Sequence, residues 1–208
     1  MTVEKVLLLA TRNTGKLREL NEILARHNIR AIDLESAGIP PDAREDGIEV
    51  FETFADNAAA KARYFHELTR LPTLADDSGL CVDHLGGAPG VRSRRFSGRS
   101  DLSGQDLDDA NNRKLISELA GIPRPTARYR CAAAYAGTDG DLVAEGEAAG
   151  EIIQAPRGGG GFGYDPYFLS TNLGLTFAQA TAEEKARVSH RGRAFRALIS
   201  MLRERGRI

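Results

Sequence analysis

The chain has 208 residues, 41% of them hydrophobic and 27% charged, with a formal net charge of −1. Those figures suit one large domain or two small lobes sharing a core, and they provide no global field that would draw a nucleic acid or an anionic membrane. No apolar run nears the roughly 20 residues that cross a bilayer, so neither a nucleic-acid nor a membrane partner is expected.

The start, Met1-Thr2-Val3-Glu4-Lys5, lacks the basic opening and long apolar core of a signal peptide. Cys81 and Cys131 show no metal-ligand spacing and are too few for a disulfide framework. A cytoplasmic location is the simplest expectation.

Val6–Leu9 is a short, continuously apolar run, the pattern of a buried strand. Leu17, Leu20, Ile23 and Leu24 recur at helical spacing, which predicts a helix from about Lys16. Between the two lies Ala10-Thr11-Arg12-Asn13-Thr14-Gly15-Lys16. A strand-to-helix turn exposes backbone N–H groups and the positive end of the helix dipole, both of which favour a phosphate. Lys16 adds a point charge, and Thr11 and Asn13 can donate hydrogen bonds to phosphate oxygens. The segment is not a Walker-type loop, because Ala10 stands for the first glycine and Leu17 for the Ser/Thr that would hold Mg²⁺. A helix-starting turn with a solvated lysine is the plain alternative.

Ile29–Asp33 predicts a second strand, and Pro40-Pro41 opens a loop. Thr53 and Asp56 have the spacing of a capping box, with Asp in place of Glu. An Ala-rich helix is expected behind them from Asn57 to Arg70. Leu74-Ala75 and Leu80–Val82 look like strand pieces flanking Asp76-Asp77-Ser78-Gly79, which puts those polar residues on a turn or strand end. Adjacent aspartates between apolar residues are costly to bury without a partner. A divalent cation is the usual compensation, and hard oxygen ligands suit Mg²⁺. Alternation along a strand turns only one of the two carboxylates towards such a site. An Asp-Ser-Gly turn is the structural alternative.

Ser103 with Asp106 starts a further helix, ending at Gly121 before Pro123. Arg128–Ala136 and Leu142–Ile153 carry the strand residues of the second half. Gly158-Gly159-Gly160-Gly161-Phe162-Gly163-Tyr164-Asp165-Pro166 formally matches the dinucleotide fingerprint, but no helix opens after it. It is better read as a flexible loop with two aromatics and an acid. Phe162 or Tyr164 can stack on a nucleobase, a contact worth roughly 1–3 kcal/mol per base in single-strand binding systems. The alternative is a ring that anchors the core.

Thr181 with Glu184 caps a short helix, and a last amphipathic helix runs from about Gly192 to Arg203. Lys185, His190 and Arg191 concentrate donors near that junction. Arg and His suit the carbonyl oxygens of a purine edge, and Lys balances phosphate charge. A His-Arg pair at a helix start is also an ordinary surface feature. His27, His66 and His84 form no ligand pattern. Helices alternate with strands early and paired strands cluster later, so the expected class is a mixed α/β fold of two lobes.

Taken together and in this order, the segments resemble the inosine triphosphate pyrophosphatase family, the XTP/dITP diphosphatases that clear deaminated purine nucleotides. The resemblance rests on Thr11–Lys16, Glu49 before Thr53-Phe54-Ala55-Asp56-Asn57-Ala58, Ala75–Leu80, Gly86–Gly90, Gly161–Pro166 and Ser189–Gly192. It implies an elongated mixed β-sheet with flanking helices forming two lobes around a central cleft, commonly in a homodimer. The implied reaction is Mg²⁺-dependent hydrolysis of dITP, ITP or XTP to the monophosphate and pyrophosphate.

By that similarity Thr11, Arg12, Asn13, Thr14, Gly15 and Lys16 hold the phosphates. Asp77 binds Mg²⁺ and acts as general base, and Ser78 contacts the substrate. Phe162, Gly163, Tyr164 and Asp165 line the base pocket, which Lys185, His190 and Arg191 complete. Counting back from Phe54 selects Glu49 as the second metal-binding acid, although the Glu45-Asp46-Gly47 triplet also looks like the motif's acidic start. Three rivals remain: a sensor that binds triphosphates without cleaving them, an RNA-associated protein using Arg92, Arg94, Arg95 and Arg99, and a sister pyrophosphatase acting on modified pyrimidines.

Overall fold

The computed structural model describes residues 6–208. Strand β1 (Leu7–Leu9), helix α1 (Thr14–Arg26) and strand β2 (Ala31–Asp33) open the chain, followed by α2 (Phe54–Thr69) and β3 (Thr73–Val82). Helix α3 (Gly104–Glu118), strands β4 (Thr126–Ala136), β5 (Leu142–Ile152) and β6 (Phe168–Ser170), and helices α4 (Ala182–Val188) and α5 (His190–Glu204) complete it. The strands form one six-stranded sheet in the order β2-β1-β3-β4-β5-β6. β1 runs parallel to both β2 and β3, and β5 pairs antiparallel with β6, so the sheet is mixed. The parallel pairs need crossovers, which α1 and α2 provide. The α/β class expected from the sequence is the one observed.

Two compact units emerge. The first comprises the residues up to Asp77, Cys131–Gly146 and Arg191–Ile208; the second comprises Ser78–Arg130 and Glu147–His190. In the first unit, Leu20, Ile23 and Leu24 of α1 are buried at helical spacing, as are Ala58, Ala62 and Phe65 of α2. Ala194, Phe195, Leu198, Ile199 and Leu202 of α5 are buried in the same way. A separate core fills the second unit, in which Leu80, Leu115, Leu119, Tyr129, Tyr164, Phe168 and Phe177 cluster.

Local chemistry sets the element ends. Thr53 caps α2 by accepting the Asp56 N–H at 3.0 Å, so that helix begins at Phe54 and not at Asn57. Arg70 closes it in the left-handed region at φ 62°. Thr181 and Glu184 make a full reciprocal capping box on α4. Ser103 holds the N-cap position of α3 with no side-chain cap bond, and the helix stops at Glu118. α5 starts at His190, two residues earlier than its periodicity suggested, which places His190 and Arg191 in its first turn.

The main correction concerns β3. The sequence pointed to two strand pieces around a polar turn, yet Thr73–Val82 is one unbroken ten-residue strand with Asp76 and Asp77 in its interior. Charge compensation from neighbouring elements makes this tolerable.

Gly150 of β5 lies opposite Ser170 of β6. A Cβ there would come within 2.5 Å of both the Leu169 carbonyl oxygen and the Phe168 ring. Overpacking of that kind costs about 1–3 kcal/mol. Gly150→Ala is therefore expected to lower the urea unfolding free energy by about 2 kcal/mol, and an unchanged midpoint would contradict the β5–β6 register.

Candidate active site

The first unit concentrates charge around the middle of β3. Asp76 is 0% exposed. Its Oδ2 lies 3.1 Å from Lys16 Nζ and 3.1 Å from Arg191 Nε, and Cys131 Sγ approaches it at 4.0 Å. Burial alone would push this carboxyl up. The fields of Lys16, Arg191 and Lys61, with the hydrogen bond from Lys16, instead hold it well below the usual carboxylate range. Arg191 is itself buried and its Nη1 also engages Glu19 of α1. Burial would pull its guanidinium down, but Asp76 and Glu19 raise it, so it stays charged.

Asp77, the next residue, meets different partners. Asn57 of α2 donates from Nδ2 to Asp77 Oδ2 at 3.0 Å. Burial pushes the Asp77 carboxyl above its ordinary value and the nearby Glu49 charge adds to that, while Lys16, Lys61 and the Asn57 bond oppose it. Glu49 forms an ion pair with Lys61. Although burial favours its neutral form, Lys61 and Lys16 lower it overall. Burial also disfavours the Lys61 ammonium, but Glu49 and Asp76 keep it raised.

The turn before α1 is built by its own side chains. Asn13 is the N-cap, its Oδ1 accepting the Lys16 N–H at 2.9 Å, and Thr11 Oγ1 accepts the Asn13 N–H at 3.2 Å. The positive end of the α1 dipole therefore lies at Thr14, Gly15 and Lys16. Arg12 turns away from that end. Its guanidinium forks onto Glu45 and donates to the carbonyls of Ile39 and Pro40 at 2.9 Å each. Glu45 is thereby committed to Arg12, whereas Glu49 acts electrostatically on Asp77. Of the two acids left open by the sequence, Glu49 is the one the fold brings to Asp77.

Glu49 and Asp77 supply hard oxygens, a donor set that suits Mg²⁺, and the Glu49 charge is felt at Asp77. Among the described residues no three of His, Cys, Asp and Glu gather into a protein cage for a metal. A pair of carboxylates is nevertheless what Mg²⁺ uses when waters and substrate phosphates fill its remaining positions.

The second unit assembles a different group. Lys185 forms a buried ion pair with Asp165, whose Oδ2 also accepts the Phe162 N–H at 2.9 Å. Lys185 Nζ lies 5.2 Å from the centre of the Phe162 ring and 5.3 Å from that of Phe177. The His190 ring stacks on Tyr129 at 4.6 Å with 9° between the planes. Gly163, at φ 62°, is gripped by α3: its N–H donates to Asp108 at 2.7 Å and its carbonyl accepts from Asn112 at 2.9 Å. Tyr164 belongs to the core, its hydroxyl donating to the Ser93 carbonyl at 2.7 Å. Of the two rings the sequence offered for stacking, Phe162 is the half-exposed one. Ser78 is half-buried and opens this unit's part of β3.

Comparison with known proteins bears on this arrangement. The model of the Ham1 family matches residues 7–201. The chain belongs to the Ham1 family. It is 47% identical to a dITP/XTP pyrophosphatase of Frankia alni over 203 residues, which spans 95% of this chain and 96% of that protein. It is 46% identical to a dITP/XTP pyrophosphatase of Streptomyces coelicolor, over 95% of this chain and 97% of the relative. The structure of a HAM1 protein from Coxiella burnetii matches with a TM-score of 0.79 at 34% identity, covering 96% of this chain and 99% of that one. A dITP/XTP pyrophosphatase from Mycobacterium abscessus matches at 0.69 and 39% identity, covering 95% and 99%.

The Ham1 fold thus brings Lys16, Asp76, Asp77, Glu49 and Arg191 into one unit, and Phe162, Asp165, Lys185 and His190 into the other. Arg191 and His190 are sequence neighbours that fall in different units. Sequence reasoning passed over Lys61, Glu19, Asp108, Asn112 and Tyr129. Three of these left a signal: Lys61 stands four residues after Asn57 beside the alanines of α2, and Asp108 and Asn112 repeat that spacing on α3. Glu19 left none.

Removing one partner of a buried ion pair costs about 3–5 kcal/mol, because the other charge stays behind in the interior. Arg191→Met and Asp76→Asn are each expected to lose about that much in urea denaturation. The double variant should lose clearly less than the sum, since the two groups interact. Additive losses would place the pair's importance elsewhere.

Proposed function

We propose that this chain is a nucleoside triphosphate pyrophosphatase that hydrolyses deaminated purine nucleotides (dITP, ITP and XTP) to the monophosphate and pyrophosphate, clearing them from the nucleotide pool. The observation that carries the reading is the Lys16–Asp76–Asp77–Glu49 charge group beside the start of α1, in a chain of the Ham1 family. Its relatives' names, dITP/XTP pyrophosphatase, support the same substrate class.

In this reading the triphosphate is taken by Thr11, Asn13, Thr14, Gly15 and Lys16, with Arg12 fixing the turn they stand on. Lys16 and Lys61 offset phosphate charge, as positioned cations do in phosphoryl transfer. Glu49 and Asp77 would hold Mg²⁺, which would add further neutralisation of phosphate charge. Asp77 takes the proton of the attacking water, and Ser78 donates to the substrate. The group in the second unit is the one suited to a purine. There Phe162 offers a stacking face, Gly163, Tyr164 and Asp165 shape the loop, and Lys185 and His190 add donors; Arg191 acts through Asp76. Donors set for a 6-oxo group leave the amino group of adenine mispaired, and that discriminates strongly in a buried pocket.

A homodimer in the cytoplasm, with no nucleic-acid or membrane partner, belongs to the same proposal. The location and the lack of such partners are in keeping with free Cys81 and Cys131 and the net charge of −1; among the described residues no helix is long and apolar enough to cross a membrane, and the homodimer rests on the family resemblance. Light scattering on a sizing column reads the oligomeric state directly.

Pyrophosphate release from dITP, XTP, dGTP and dATP, with and without Mg²⁺, tests the assignment. Release is expected from dITP and XTP, only with Mg²⁺, and at least about 10-fold slower from dATP, a ratio in the range of pocket discrimination. Asp77→Asn should cut turnover by about 10²–10⁴-fold, the usual contribution of a general base. Equal rates on all four nucleotides defeat the substrate assignment, and nucleotide binding without release favours a sensor.

A further inference from the structure

Asn57 has so far been only the donor to Asp77, but its amide does three things at once. It is 1% exposed, in the first turns of α2. Its Oδ1 accepts the Phe51 N–H at 2.9 Å, and its Nδ2 donates to the Phe51 carbonyl at 3.1 Å and to Asp77 Oδ2 at 3.0 Å. The two Phe51 bonds fix which end of the amide is oxygen, because an N–H must meet Oδ1 and a carbonyl must meet Nδ2. Both N–H groups of the amide are thereby given acceptors, one on the Glu49-bearing segment and one on β3.

Packing does little to place that segment. Val50, Phe51, Glu52 and Thr53 are all exposed, with Val50 at 64% and Phe51 at 46%. Packing therefore holds only Ile48 on one side and Phe54 on the other, both buried. Between them the backbone of Phe51 is fixed by a single side chain reading its N–H and its carbonyl together, as a partner strand would. One turn further along α2, Lys61 takes the Glu49 carboxylate. Residues four apart share a helix face, so α2 presents Asn57 and Lys61 side by side to the two acids.

We propose that Asn57 is the positioning residue that locks Asp77 and the Glu49 segment into one geometry, so that both carboxylates are set before a divalent cation and nucleotide arrive. The inference rests on the reading of Glu49 and Asp77 as the metal-binding acids. Outer partners that orient metal-binding carboxylates typically contribute 10–100-fold in affinity or activity. Loss of the amide frees the Phe51 backbone, two residues from Glu49, and removes the Asn57 hydrogen bond to Asp77, while the phosphate turn and the second unit are untouched. The effect must then appear in cation affinity and kcat and not in nucleotide KM.

The test uses the full-length protein and the variants Asn57→Ala, Asn57→Asp and Asp77→Asn. Mn²⁺ binding without nucleotide is followed by electron paramagnetic resonance, kcat and KM for dITP are taken at saturating Mg²⁺, and folding is checked by circular dichroism and urea midpoint. Asn57→Ala is expected to bind Mn²⁺ at least about 10-fold more weakly and to lose kcat by a similar factor, with KM within about 3-fold. Asn57→Asp keeps the shape and the Phe51 N–H bond but sets a carboxylate against Asp77, so it should lose more kcat; it carries the test if the alanine variant does not fold. A folded Asn57 variant with parental Mn²⁺ affinity, or one whose only change is KM, overturns the inference whatever Asp77→Asn does. Parental turnover in Asp77→Asn overturns the base assignment instead, and is told apart because the Mn²⁺ measurement needs no turnover.

Discussion

The buried carboxylate of Asp76 is the constraint on which much of the first unit depends. An ionised carboxylate in the interior is tolerable only when opposite charges and hydrogen bonds replace the water it has lost. Here the replacement comes from Lys16 at the start of α1 and Arg191 at the start of α5, both on the same oxygen. Residues 60 and more positions apart in the chain are thus tied to one point of β3. The arrangement has a functional corollary: Lys16 is anchored by Asp76 at 3.1 Å, so its ammonium stands at the helix start with its position fixed.

The same economy governs how helices serve irregular segments. α2 uses Asn57 and Lys61 to hold the segment that ends in Phe51 and the acid within it. α3 uses Asp108 and Asn112 to hold both the N–H and the carbonyl of Gly163. In each case two polar residues four apart stand on one helical face and meet backbone or charge that packing alone would leave undetermined. Rigid elements thereby confer their precision on loops, which is where binding groups usually lie. The αL conformation of Gly163 is part of this device, because it turns the peptide so that α3 can reach both its donor and its acceptor.

How much of this was readable in advance follows from what each signal depends on. The helices were legible because alanine and leucine periodicity is local, and the caps at Thr53 and Thr181 are four-residue patterns. β3 was misread because a pair of aspartates looks like a turn when only neighbours in sequence are considered. Nothing near residue 76 announces that Lys16 and Arg191 will meet it. The choice between Glu45 and Glu49 had the same character, because nothing near either acid announces that Arg12 will pair with Glu45. Tyr164 shows the converse: its place in a glycine-rich loop left it open between a stacking ring and a core anchor, and its hydroxyl finds the Ser93 carbonyl while its ring joins the core. Tertiary partners decided each of these cases.

His190 and Arg191 make the point most sharply, since adjacent residues of one helix serve different units. Successive positions of an α-helix are turned by about 100°, so the first turn of α5 directs one side chain to Tyr129 and the next to Asp76 and Glu19. The other passages between the units also fall inside regular structure, at Asp77/Ser78 in β3, Arg130/Cys131 in β4 and Gly146/Glu147 in β5. That is why no Pro-, Gly- or Ser-rich linker marked a boundary in the sequence. Alternation along a strand and rotation along a helix do here what a linker does in other proteins: they hand consecutive residues to different surroundings. A one-residue deletion that moved His190 into the place of Arg191 would therefore carry Arg191 about 100° further round the helix, and would leave the buried Asp76 facing an imidazole where it now has the permanent positive charge of Arg191.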